Sequence, residues 1–309
     1  MAQEATQTFE MHRGFLTGLA YRMLGSVSDA EDAVQDAWLR WNGADRSGIE
    51  NERAWLSTVV TRLSIDRLKA ARHRRETYVG AWLPEPLIAD PSLATMPAES
   101  IDRDVSVALM LALERLSPLE RAAFLLHDIF DMSHADVAAV LGTAEENCRQ
   151  LASRARRHIQ EARPRYPLRP EESQPLAQAF LDASRSGDIA RLRDLLAADA
   201  VLMTDGGGRR KAALNPIFGQ DRVQRFFSGL ARKRGHRMPL WRQAILINGM
   251  PGWVMVEVDG ALQTLALDIT GGRVSAVYLM RNPDKLQHVI RLLPPEMAAL
   301  VSGGDASQV

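Results

Sequence analysis

Residues Ser133 to Ile159 read SHADVAAVLGTAEENCRQLASRARRHI, two helical patterns joined at a glycine. The first pattern, Ser133–Leu141, sets Val137, Val140 and Leu141 on one side; Gly142 supplies the turn and Thr143 the cap of a second helix. In that second helix Ala144, Cys148, Leu151, Ala155 and Ile159 recur at steps of four and three, which makes one buried stripe. The opposite face carries Arg149, Gln150, Ser153, Arg154 and Arg157, donors suited to phosphates and to base edges in a major groove. A solvated amphipathic helix has the same periodicity. What favours a DNA reader is the partner helix and glycine turn standing in front of the arginines.

Outward from this motif, apolar residues keep helical spacing from about residue 8 to about 165. Helix starts are marked by Ser28 with Glu31, Ser117 with Glu120 and Pro118, Ser133 with Asp136, and Thr143 with Glu146. This half is expected to be all-α. A proline-spaced stretch from Thr77 to Pro97 interrupts it and reads as an extended linker between two small helical domains. A second break falls at Pro164, Pro167, Pro170 and Pro175. Beyond it come helical patterns at 175–185, 188–197 and 220–234. The segments Trp241–Asn248, Trp253–Asp259, Leu262–Ile269 and Val274–Met280 have strand composition and Gly, Pro, Asn or Asp boundaries. Turns at Asp259-Gly260 and Gly271-Gly272 imply hairpins, so the second half is expected to be α+β, a curved antiparallel sheet with helices on one side.

Charge is distributed in blocks. The 309 residues hold 38 Lys and Arg against 38 Asp and Glu, so no net field draws the chain to nucleic acid and any DNA contact must be local. The segment from Asp29 to Trp41 buries Ala30, Ala33, Val34, Ala37, Trp38 and Trp41, and shows Glu31, Asp32, Gln35 and Asp36 outward. Such a face suits a basic protein surface, or equally solvent alone. From Arg53 to Arg75 the sign reverses: Arg62, Arg67, Lys69, Arg72, Arg74 and Arg75 oppose Asp66. One cysteine, Cys148, excludes an internal disulfide and a cysteine-rich zinc site. The polar, acidic start and the lack of a long apolar run point to a cytoplasmic protein without a membrane segment. No cofactor or metal is expected.

The ordered set of motifs resembles the ECF sigma factors of the sigma-70 superfamily over about residues 8–162. In that family the acidic helix, here Asp29, Glu31, Asp32, Gln35 and Asp36, docks on the clamp helices of the beta-prime subunit of RNA polymerase core. The Ala-Trp-Leu…Asp-Arg-Leu…Arg-Arg stretch is similar to the part that opens and reads the minus-ten element, which implies Arg62, Ser64, Asp66 and Arg67 at an extruded base and Lys69, Arg72, Arg74 and Arg75 on the backbone. The helix-turn-helix with Leu113–Asp128 before it resembles the reader of the minus-thirty-five element. Trp82-Leu-Pro-Glu-Pro, Asp205-Gly-Gly-Gly and Asn282-Pro-Asp-Lys-Leu resemble signatures of the SigJ-like subgroup, whose added domain is a SnoaL-like, NTF2-like cone. The departure is Arg209-Arg210 after the glycines, where the subgroup has a lysine soon after.

The resemblance implies four parts: region 2 at 8–76, a linker at 77–107, region 4 at 108–163 and a SnoaL-like regulatory domain at 173–292. The expected regulatory contacts join Trp82, Pro84, Glu85 and Pro86 of the linker to Asp205, Gly206, Gly207 and Gly208, and to Asn282, Pro283, Asp284, Lys285 and Leu286. Asp205–Gly208 alone also reads as a tight turn. The expected partners are polymerase core and promoter DNA, with a free protein that is monomeric. The cone leaves room for a small-molecule ligand, with Trp241, Trp253 and Met255 as walls, and an enzymatic reading would use Asp268 or His236 as acid or base. A competing reading is a one-component helix-turn-helix regulator with the sheet domain as effector module, which leaves the acidic helix and the second basic domain unexplained.

Overall fold

The computed structural model describes residues 2–88, 105–160 and 170–304; the breaks expected at Pro97, Pro164 and Pro167 lie outside the described residues. The chain forms two units, Met1–Thr77 with Ala94–Arg163, and Tyr78–Leu93 with Pro164–Val309.

In the first unit the helices are α1 (Ala2–Leu24), α2 (Val27–Gly43), α3 (Glu52–Glu76), α4 (Val107–Leu113), α5 (Pro118–Phe124), α6 (His134–Leu141) and α7 (Glu145–Gln160), with a π-helical turn Leu125–Ile129 after α5. Capping chemistry sets several starts. Ser117 and Glu120 form the reciprocal box with Pro118 at the first turn, and Ser133 accepts from the Asp136 amide. At α2 the cap is Ser26, two residues before the expected Ser28; its hydroxyl accepts from the Asp29 amide, so Ser28 falls inside the helix. Gly142 ends α6 at φ 64°, the left-handed turn that lets α7 start at once. Thr143 takes the side-chain amide of Asn147 on its hydroxyl. On α7 the buried residues are Cys148, Ala152, Ala155 and Ile159, while Ala144 is exposed and Leu151 half-buried. The stripe therefore turns by one residue from the expected one.

The second unit contains α8 (Pro170–Ser186), α9 (Ile189–Leu195), β1 (Leu196–Asp205), β2 (Ile217–Phe218), α10 (Gln220–Lys233), β3 (Trp241–Ile247), β4 (Met250–Val256), β5 (Leu262–Thr270), β6 (Arg273–Met280) and α11 (Pro295–Gly304). Strand order is β2-β1-β6-β5-β4-β3. The sheet is mixed rather than purely antiparallel, because β1 runs parallel to β6. Pro175 lies inside α8 instead of before it. Helices α8, α9 and α10 cover one face: Phe180, Leu181, Leu192, Val223 and Phe227 pack with Trp253, Leu265, Leu267 and Val277. All of β4 and all but the last residue of β5 are buried, and alternate residues of a strand point to opposite faces, so the other face is covered as well. The linker belongs to this unit. Leu83 to Ile88 is buried, and Ile88 makes an antiparallel bridge to Ile247 at the end of β3.

Candidate functional site

In the second unit three segments meet on one carboxylate. Asp205 closes β1 with its side chain wholly buried. One oxygen accepts from the Tyr78 hydroxyl at 2.5 Å and the Gly207 amide at 3.0 Å. The other accepts from the Leu83 amide at 2.9 Å and from Lys285 Nζ at 2.8 Å. Lys285 also donates to the Leu83 carbonyl at 2.6 Å and stands over the rings of Tyr78 and Trp82, 4.7 and 4.3 Å from their centroids. Asn282 Nδ2 donates to the Tyr78 oxygen at 2.8 Å, and its carbonyl caps the Pro283–Lys285 turn at the Asp284 amide. Burial first, and the Asp205 carboxylate second, push the Tyr78 phenol well above its ordinary pKa, so it stays a donor.

The glycine run is dictated by this meeting point. A Cβ on Gly206 would overlap the Arg210 carbonyl oxygen, and one on Gly207, at φ 59°, would overlap the Asn282 amide. Arg209 pairs with Asp284 at 3.1 Å, which accounts for the arginine after the glycines. Of the residues named from sequence, Trp82, Asp205, Gly206, Gly207, Asn282, Asp284 and Lys285 converge here. Gly208 lies beside Val79, and Pro84, Glu85 and Pro86 are buried along the linker. Pro283 opens the short turn and Leu286 is buried behind it. Sequence reasoning missed Tyr78, Asn248 and His288. Asn248 exchanges two hydrogen bonds with the Leu87 backbone, and His288 Nε2 sits 2.8 Å from the Pro86 carbonyl oxygen. The signal available was an aromatic and an asparagine at segment ends, where only backbone partners were to be expected.

In the first unit, Arg149, Gln150, Ser153, Arg154 and Arg157 are all exposed on α7. Arg149 is ion-paired to Glu145 one turn back, and Arg156, unnamed from sequence, holds Asp128 at 2.5 Å. On α3, Arg62, Asp66 and Lys69 are exposed and fall within about 60° of one another around the helix. Ser64 is different: it is fully buried, as is Thr61, because that side of α3 faces its neighbours. It is not available to a base in this form. Arg72, Arg74 and Arg75 lie on α3, and their side chains lie outside the described residues. Arg67 turns back to α2, 2.8 Å from Asp36, 3.7 Å from Asp32 and 4.0 Å from Asp29. Thus Asp29 and Asp36 are half-buried, while Glu31, Asp32 and Gln35 face outward. Leu39 continues the Glu31–Gln35 line one turn on and is 62% exposed, an apolar side chain on that face that composition alone did not reveal.

The segments read as two helical domains pack into one body. Arg121 of α5, 2% exposed, donates to the Met23 carbonyl at 2.6 Å and to Glu114 at 2.8 Å. Met23 lies in the last turn of α1, so the guanidinium occupies one of the carbonyls a helix end leaves open. Phe130 stacks edge-on with Phe15 of α1 at 4.8 Å and lies 5.4 Å below the Arg22 guanidinium.

The catalytic candidates of the sheet unit do not converge. Trp253 and Met255 are buried strand residues, and Trp241 opens the edge strand β3. Asp268 alternates with Leu267 and Ile269 and so points away from the helices, whereas His236 follows α10 beside Gly187 on the helix side. The cavity between α8, α10 and the sheet, lined by Leu181, Phe227, Met255 and Leu265, is about 20 Å³, room for about one water. Arg185 and Arg234 fill it by pairing with buried Glu257 at 2.5 and 3.1 Å, and Gln263 donates to the same carboxylate at 2.6 Å.

Residues 8–74 match the family model of Sigma-70 region 2, and residues 106–159 that of Sigma-70, region 4. Over 290 residues the chain is 40% identical to ECF RNA polymerase sigma factor SigJ of Mycobacterium tuberculosis H37Rv, spanning 90% of this chain and 91% of that protein. It is 34% identical over 281 residues to the Probable ECF RNA polymerase sigma factor SigI of the same organism, with 89% and 92% covered. The crystal structure of Mycobacterium tuberculosis SigJ superposes with a TM-score of 0.75 and 37% identity, covering 92% of this chain and 98% of that one. Among the described residues no helix is long and apolar enough to cross a membrane.

Proposed function

The chain belongs to the ECF sigma factors of the sigma-70 family, and from that premise we propose that its packed helical unit is the form held off the promoter, with the sheet unit restraining the change that engagement requires. A sigma factor directs RNA polymerase core to promoters, and it works by binding. In this reading Glu31, Asp32, Gln35 and Leu39 of α2 dock on the clamp helices of the beta-prime subunit, with Asp29 and Asp36 beside them. Arg62, Asp66 and Lys69 of α3 serve the minus-ten element, joined by Arg67, Arg72, Arg74 and Arg75. Arg149, Gln150, Ser153 and Arg154 of α7 read the minus-thirty-five element, with Arg157 on phosphate.

Distance separates the two forms. Elements centred about 25 base pairs apart lie about 85 Å from one another at about 3.4 Å per base pair. A body of about 150 residues has a radius of gyration of about 15 Å, so a single packed unit cannot reach both. The two regions must part, and the linker is their tether. Tyr78 to Ile88, eleven residues, is held in the sheet unit; that removes about 36–40 Å of extended reach. The observation that carries the regulatory reading is the buried Asp205–Lys285 pair closing on Tyr78 and Leu83 of the linker. The small cavity beside α8 supports restraint rather than turnover, since Arg185, Arg234 and Gln263 close on Glu257 there. We place the protein in the cytoplasm with its polymerase.

The test is promoter-dependent transcription with purified core, comparing the full chain with versions ending near residue 167 and near residue 280. The shorter version keeps every DNA-facing residue and should retain promoter recognition. The version ending near 280 loses Asn282 and Lys285, and should change output where the full chain is restrained. Equal output from all three at every promoter refutes restraint. A gel-shift in which the chain binds operator DNA as a dimer without core polymerase would favour the one-component regulator instead.

A further inference from the structure

A second feature of the sheet unit stands apart from the linker and rests on its own observations. Beside the end of α10 lies an open cleft of about 1070 Å³, just above the range of about 300–1,000 Å³ usual for small-molecule sites. One wall is the loop after β1, with Arg209, Arg210 and Lys211; the facing wall is the end of α10 and the turn after it, with Arg232, Lys233, Arg234 and Arg237. Arg281, from the end of β6, completes eight cationic residues against two carboxylates, Glu257 and Asp259. Both carboxylates are engaged, Glu257 by Arg185 and Arg234 and Asp259 by Arg281 at 3.4 Å. Basic residues at a helix C-terminus offset its dipole, which explains Arg232 and Lys233 but not the cations brought in by two other elements. The whole chain is neutral, so this concentration is local.

Among the described residues, no hydrogen bond or ion pair engages the side chains of Lys211, Arg232, Lys233 or Arg237, and the buried Nε of Arg281 has no acceptor. The floor is apolar, made by Phe226, Leu230 and Leu279, and Gly229 leaves it open where a side chain would stand. A bare anion or a phosphodiester track needs the rim alone, whereas a flat, apolar group carrying several phosphates uses floor and rim together. We propose that this cleft binds a nucleoside polyphosphate, the base over Phe226 and Leu230 and the phosphates between Lys211, Lys233 and Arg281. Occupancy would be felt at the linker, because the Arg281 amide donates to the Asp205 carbonyl at 2.7 Å and Arg209 pairs with Asp284.

The experiment is fluorescence anisotropy of N-methylanthraniloyl guanosine triphosphate with the full chain at moderate salt, with unlabelled competitors. Saturable binding is expected, with Lys211→Glu and Lys233→Glu each weakening it at least tenfold and Arg222→Glu, at the far end of α10, leaving it unchanged. Unlabelled guanosine or adenosine triphosphate should displace the label at lower concentration than inorganic triphosphate. Circular dichroism of each variant checks folding, and Lys211→Gln and Lys233→Gln, which remove charge without reversing it, should weaken binding by a smaller factor. Failure to bind at millimolar nucleotide, or indifference to the charge reversals, overturns the proposal. So does inorganic triphosphate competing as well as the nucleotides, or displacement by duplex DNA where mononucleotides fail.

Discussion

Asp205 holds together groups that belong to three distant stretches of chain, and its burial sets the energy scale. Removing one partner of a buried ion pair costs about 3–5 kcal/mol, because the other charge is left without solvent or counter-charge. Asp205→Asn keeps the shape but turns one acceptor into a donor facing Lys285 and Leu83, or else Tyr78 and Gly207. Exchange of the Leu83 amide, read by hydrogen–deuterium exchange over residues 78–88, should quicken by tenfold or more. The Leu87 amide, held separately by Asn248, should change less. Unchanged protection at Leu83 would mean the carboxylate is not what retains the linker. Tyr78 contributes across the usual pH range: with its pKa raised, the stability its hydroxyl supplies is fully present below the unfolded value of about 10 and is lost only as pH rises beyond that. Arg67 works in the opposite sense. Three carboxylates of α2 surround it, so a basic partner on that face would compete for them and release the guanidinium toward DNA.

Elements were legible where their signals are local. The helix-turn-helix announced itself through Ser133, Gly142 and an arginine face, because caps, turn and periodicity lie within one stretch of chain. Four strands were visible for the same reason. Strand β1 was not: Leu196-Ala-Ala-Asp-Ala has weak strand preference, and pairing with β6, about 75 residues away, decides its state. Nor did pattern foretell that Ser64 would be buried, since the neighbours that cover α3 are brought there by tertiary packing. The motif Asp205–Gly208 was readable as a turn, but the reason for its glycines is the approach of Asn282 and the Arg210 carbonyl. Two element-scale outcomes follow. Gln150→Ala and Arg154→Ala on α7 should each lower transcription from a minus-thirty-five-dependent promoter by about 5- to 150-fold, the loss of about 1–3 kcal/mol per base contact, without lowering affinity for core. Leu39→Asp on α2 should do the reverse, abolishing co-elution with core while leaving the circular dichroism of the chain intact; retained co-elution would remove α2 from the docking face.

At the scale of the molecule the decisive quantity is the separation of α1–α3 from α4–α7, which share one packed unit here and, in the reading proposed, part on a promoter. Arg121 of α5 ties the two groups by inserting a cation at the open end of α1, an interaction strong while buried and replaceable by water if the regions part. Spin labels at the exposed positions Met11 of α1 and Ala139 of α6 in the full chain should report one short, narrow distance in the free protein. Core polymerase and promoter together should replace it with one of several tens of Å. Arg121→Met, which keeps the apolar stem but not the donors, should broaden the free distribution toward longer distances before polymerase is added. Asp205→Asn should leave the free distance short, since α1 and α5 still meet, yet let the long one appear at lower polymerase concentration. A distance that stays short on the promoter, in wild type and both variants, would mean that the helical unit engages DNA without opening, and the tether would have nothing to restrain.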